Sequence, residues 1–231
     1  MNLRHPRNFR TTIVLAATIA LLSMSAGSAV AATPGSGSYA QNGKSAGAYL
    51  TGCTSNGDGT SSCADVFVDA FVGKINDGLS GVQHLNQLCV SLANFVVDDE
   101  TGQMIGGYLG ESGCRVDLPS GTLTFGAGLS SATLREITIT VEQYSCDGKY
   151  DCTPGPSRDI TASGSWVGLG AVQTSKYRSS GNDGFCREAE FSKGTFRQAT
   201  FSGQIDSNAL DGAYANLGDG KSTYRSRCTG I

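Results

Sequence analysis

Histidine is almost missing from this chain. Of the two it carries, His5 belongs to the N-terminal segment, which leaves His84 for everything else. A Ser-His-Asp or Cys-His site would have to be built on that residue. Its setting, Val82-Gln83-His84-Leu85-Asn86, supplies no nucleophile. The cysteines lack the close Cys-x-x-Cys-like spacing of zinc sites, and the glycines do not fall in phosphate-loop order. The residues therefore call for no metal and no cofactor. Proline is scarce, with five in the chain. No apolar run beyond the N-terminal segment approaches the ~20 residues of a membrane-spanning helix. No Asn-x-Ser/Thr sequon occurs, so N-glycans are not expected. Capped amphipathic helices are missing too. Ile75 to Leu88 comes nearest, and its Gly78 and Gly81 argue for a loop.

What is present begins with a secretion signal. Arg4, Arg7 and Arg10 form a basic start, Thr12 to Met24 an apolar and hydroxyl run, and Ala29-Val30-Ala31 a small-x-small cleavage site. The spacing predicts cleavage near Ala31 and an extracellular protein without a membrane anchor. All eight cysteines follow this signal. In an oxidising compartment an even set of thiols pairs. Cys53 with Cys63 and Cys146 with Cys152 suit local hairpin-closing bridges. The remaining four then pair as Cys89 with Cys114 and Cys186 with Cys228.

Cleavage takes the formal charge from −3 to −6 by removing three arginines. The acidic excess is uneven. Carboxylates dominate from Cys53 to Asp117, whereas basic residues slightly outnumber acids from Ala171 onward. An acidic protein repels phosphate backbones, so nucleic acid is not an expected partner. A protein or a carbohydrate is.

The pattern reads as all-β. Ala64 to Val72 and Cys89 to Val97 are apolar on both parities, like central strands. Asp98-Asp99-Glu100-Thr101-Gly102 turns the second of these back through Gln103 to Leu109. In Ala132 to Tyr144, Ile137, Ile139 and Val141 alternate with Thr138, Thr140 and Glu142, as in a strand with one face on a core. Further segments follow at Gly121–Phe125, Ile160–Leu169, Gln173–Ser179, Phe185–Phe191, Thr195–Ile205 and Ser222–Cys228. This spacing suggests an antiparallel sandwich or barrel, and a disulfide-stapled antiparallel β-sandwich is the expected fold. The expected layout is signal peptide 1–31, flexible Gly/Ser/Ala leader 32–46 and a β-domain 47–231. A weak similarity of Ala132–Glu142 to Gly194–Gln204 suggests an internal repeat. It divides the β-domain into related halves, 47–145 and 157–231, joined by a Cys/Gly/Pro-rich linker.

On function, the leading expectation is a secreted, non-catalytic binding or interaction module. A rigid stapled frame holds loops still for recognition. Lys149 and Tyr150, at the tip of the Cys146–Cys152 loop, are the candidate contact residues. Two alternatives follow. One is a carboxylate-based extracellular glycoside hydrolase drawing on Asp65, Asp69, Asp98, Asp99 or Glu100. The other is a protease inhibitor acting through the Cys146–Cys152 loop. Asp65 and Asp69 share a strand face with Phe67 and Phe71. Three Asn/Asp/Gly loops are rich enough in oxygen to weigh for calcium, but none has EF-hand spacing.

Overall fold

The computed structural model describes residues 37–146, 152–182 and 186–228. The expected signal peptide lies outside them, as do Lys149 and Tyr150. The described residues are almost entirely strand: β1 Gly37–Ser55, β2 Thr60–Asn76, β3 Val82–Asp98, β4 Met104–Val116, β5 Leu123–Phe125, β6 Ser131–Cys146, β7 Cys152–Asn182, β8 Cys186–Ile205 and β9 Asn208–Cys228. A single 3-10 turn at Ala127–Leu129 interrupts them.

All pairings are antiparallel, in the order β4-β3-β2-β1-β9-β8-β7-β6-β5. β4 also pairs with β6, from Tyr108 opposite Cys146 to Ser112 opposite Glu142. β5 occupies the same edge of β6 further along, opposite Ala132 to Leu134. The sheet therefore closes on itself, with eight long strands forming a ring and β5 continuing the place of β4. This corrects the expected sandwich. Two stacked sheets would each keep free edges, whereas here every long strand has a bonded neighbour on both sides. The apolar face is buried by curling one sheet rather than by stacking two.

The inner face is apolar. Ile137, Ile139 and Val141 of β6 are buried, while Thr138, Thr140 and Glu142 are exposed. Ala46, Val68, Leu88, Ile160 and Leu217 are fully enclosed on the other staves. Trp166 lies against Phe201 with ring centroids 4.6 Å apart. Its indole N–H donates across the barrel to the Gly47 carbonyl at 3.0 Å. Gly164 and Gly203 are opposite each other, and a Cβ on either would strike the Phe201 ring. These two positions lack side chains because the ring needs the space. An apolar interior with polar outer positions is the inverse of the pattern in transmembrane barrels.

Three boundaries differ from the sequence reading. Residues 37–46, expected as leader, form the first half of β1 between β2 and β9. Without that strand the ring would stand open. The linker between the candidate halves is a β6–β7 hairpin, with Pro154 opposite Tyr144 at a register irregularity that relieves its missing N–H. Both halves contribute to one sheet. Ile160–Leu169 and Gln173–Ser179 are one strand interrupted by a bulge, and the two segments of β8 are likewise continuous. These strands are longer than the barrel is deep, so they project beyond it.

The four disulfides are Cys53–Cys63, Cys89–Cys114, Cys146–Cys152 and Cys186–Cys228. Each joins residues directly opposite on adjacent strands.

The barrel has two unlike ends. The first holds the β1–β2, β3–β4 and β8–β9 turns, with Cys146 of β6 opposite Cys152 of β7. The second holds the β2–β3 turn and the 117–130 connection, with Asn182 of β7 opposite Arg187 of β8. That connection buries Leu118, Leu123 and Leu129. Its 3-10 turn reaches β7 and β9 on the far side, plugging the core.

Candidate functional site

At the first end, inward positions of three strands carry polar side chains just beyond the apolar core. Arg158 of β7 donates from Nε to Glu111 Oε1 of β4 at 2.9 Å, and a second bond joins Nη2 to Oε2. The same Nη2 reaches Asp206 Oδ2 at 3.0 Å. Gln143 of β6 donates to Glu111 at 2.6 Å. Both carboxyls are held below their ordinary range, chiefly by the hydrogen bonds from Arg158. Neither is a proton donor near neutral pH, so the pair does not form a glycosidase acid and base. The cluster satisfies itself. Glu111 and Arg158 are 47 residues apart, and no sequence pattern announced them.

The acids expected as hydrolase candidates fall elsewhere. Asp98 accepts bonds from Glu100 N, Thr101 N and the Thr101 hydroxyl. Those bonds, led by the Thr101 hydroxyl, lower its pKa and make it a turn-former. Asp99 accepts from Ser61 at 2.6 Å. Asp65 and Asp69 sit on the outer wall with Phe67, opposite the buried Val66 and Val68. Burial pushes the Asp69 carboxyl up to about 7. Four residues along one strand place its Cα roughly 13 Å from that of Asp65, with Phe67 between. Catalytic carboxyl pairs are about 5–9.5 Å apart. Nearby, Phe67, Tyr49 and Tyr214 are direct cross-strand partners, each partly exposed. Of the oxygen-rich loops, Asp206 is committed to Arg158, and Asp211 accepts from Ser202 at 2.9 Å.

The second end is chemically different. There β7, β8, β9, β1, β2 and β3 run on past the plug. Register places Lys176 opposite Lys193, Lys193 opposite Lys221, Lys221 opposite Asn42, Asn42 opposite Lys74, and Lys74 opposite His84. Directly opposed residues share a face, and this one continues the inner face of Ala199, Phe201, Ala215 and Leu217. All six side chains are exposed. At about 4.8 Å per strand the row extends roughly 24 Å. One row further out, the same face holds Arg178 opposite Phe191, and the row beyond that holds Arg225. Arg187 lies opposite Arg227 at the tip. From the lysine row outward, every charged strand residue described on this face is cationic. The acids Glu188 and Glu190 alternate to the other face, where Glu188 accepts from Tyr224 at 2.6 Å. Asp77, in the β2–β3 turn, is bonded to the Leu79 and Ser80 amides. Asp219 lies one row inward, opposite Lys44.

Arg178, Ser180, Ala189, Phe191, Thr223 and Arg225 line an open cavity of about 400 Å³ on this face, bordered also by Ser179 and Glu190. The Arg178 guanidinium lies 5.6 Å from the Phe191 ring centroid. Among the described residues, none of the row lysines has a carboxylate at ion-pair distance; both ion pairs belong to Arg158. Like charges directly opposite on a sheet are destabilising. The row therefore costs stability: the nearest acid on its face, Asp219, lies opposite Lys44 and makes no ion pair with a row lysine.

No family model, curated protein or solved structure matches the chain.

Proposed function

We propose that this is a secreted, non-catalytic binding protein that takes an anionic partner on the inner face of its second end. One observation carries the reading: four lysines and a histidine aligned across six strands, with no acid among the described strand residues of this face from the row outward. Local positive potential concentrates an anion there although the protein is acidic overall. The four disulfides accord with an oxidising, extracellular setting. Cys186–Cys228 ties β8 to β9 at the tip of this end.

The test is retention of the secreted protein on immobilised dextran sulfate, with uncharged dextran as control. Retention at low salt, released by added salt and abolished in K176E/K193E/K221E, is the expected result. Failure to bind at low salt, or full retention by a folded triple variant, would overturn the proposal.

A further inference from the structure

We infer that the partner is a linear acidic polysaccharide, lying across the strands along the row from Lys176 to His84. This rests on the anion-binding reading above and names the ligand of that site.

Four features of the face select this ligand among anions. The first is shape. The cationic residues continue the concave inner surface of a barrel, and Arg178 and Arg225 line an open cavity on it. A planar lipid surface cannot reach into such a face, whereas a single chain can. The second is direction. The charges repeat at strand spacing in a line roughly 24 Å long, which suits an extended polymer better than one compact ion.

The third is the scarcity of aromatic rings. Proteins that hold single-stranded nucleic acid stack bases on aromatic side chains. Phe191 is the one aromatic described on this face from the lysine row outward, and it is half-buried beside Arg178. The fourth is the company the cations keep. Asn42 lies within the lysine row, Thr174 and Thr195 lie one row inward beside the opposed Asp219 and Lys44, and Thr223 and Ser180 lie further out. Hydroxyl and amide groups both donate and accept hydrogen bonds. They match sugar hydroxyls between charged groups, while lysine meets carboxylate or sulfate as a point charge without the forked geometry of arginine.

The experiment is a length series. Titrate the secreted protein with size-fractionated heparin oligosaccharides and oligogalacturonates, and with polyphosphate and oligo(dT) of matched length. Affinity for the glycans should rise with length until the oligomer reaches from Lys176 to Lys74, then level off. K74Q, at the far end of the row, should weaken the longest glycans about three- to tenfold and leave the shortest ones unchanged. K193E/K221E should weaken every length at least tenfold. Circular dichroism and the unfolding midpoint report whether each variant is folded.

Tighter binding of polyphosphate or oligo(dT) than of glycans, still abolished by K193E/K221E, would overturn the polysaccharide assignment but leave the anion-binding reading standing. Glycan affinity independent of length and of Lys74 would overturn the linear placement. Binding indifferent to K193E/K221E in folded protein would overturn both.

Discussion

The two ends of this barrel handle charge in opposite ways. At the first, Arg158 is paired with Glu111 and Asp206, and Gln143 bonds Glu111 in turn. At the second, Lys176, Lys193 and Lys221 face one another directly. The first arrangement explains itself by stability, since a buried carboxylate requires a cation and hydrogen bonds. The second does not, since opposed like charges on a sheet cost stability. Charge that a fold does not need for itself points outward, to something it meets.

That contrast can be pressed by substitution. The reference is the apolar core between the ends, where the largest loss is expected. Ile139→Ala should destabilise by about 2–5 kcal/mol, because Ile139 is enclosed and the neighbouring staves cannot collapse on the gap. Thr138→Ala, on the outer face, should cost well under half of that. Equal losses in urea unfolding would mean that both faces of β6 are buried.

Next comes the paired end. Arg158→Met should cost about 2–3 kcal/mol, because Glu111 remains enclosed with only Gln143 to bond it; partial exposure of Arg158 keeps the figure below that of a fully buried pair. Glu111 and Asp206 have folded pKa values below their unfolded ones. Their contribution is therefore present above the unfolded values and disappears as pH falls through the folded ones. The cost of Arg158→Met should shrink in acid. A cost that is constant from pH 7 to pH 2 would contradict the ion-pair account.

Asp69 sharpens the comparison, because it is half-buried on the outer wall with no ion pair among the described residues. Its folded pKa near 7 lies above the unfolded value, so the folded protein binds more protons between about pH 4 and pH 7. Stability on its account falls as pH rises through that window. Asp69→Asn should raise stability at pH 8 on the order of 1–2 kcal/mol, less than the full linkage value because the amide must still be buried. It should change little at pH 4. A loss at pH 8 would show that the carboxylate has a partner.

The smallest effect belongs to the lysine row. Lys193→Gln should leave stability unchanged or raise it by about 0.5 kcal/mol at low salt, and salt should erase the gain. A loss beyond 1 kcal/mol would make Lys193 structural and dissolve the contrast between the ends.

Part of this was legible in the sequence. The alternation of Ile137, Ile139 and Val141 sets the buried face of β6, and spacing points to the Cys53–Cys63 and Cys146–Cys152 bridges, whereas the other four cysteines allow three pairings that only the strand register decides. Closure was not legible, because it depends on β4 meeting β6 with β5 in line on the same edge. That is a long-range pairing without a local signature. Strand length misled in the same way. Gly170 and Gly194 look like breaks, yet the ladder runs past a bulge at one and straight through the other. The site was hidden for a related reason. Lys74, Lys176, Lys193 and Lys221 lie on four strands, and only register brings them onto one line. The excess of basic residues after Ala171 hinted at it, but a composition cannot show that Glu188 and Glu190 among them alternate to the other face.

The most direct test compares unfolding midpoints of wild type and K176Q/K193Q/K221Q at low salt, with and without dextran sulfate. Without polymer, the triple variant should be as stable as wild type or more so; with polymer, wild type should gain stability while the variant gains little. A variant that is less stable alone, or that gains as much as wild type from the polymer, would contradict the claim that the row is kept for an anionic partner.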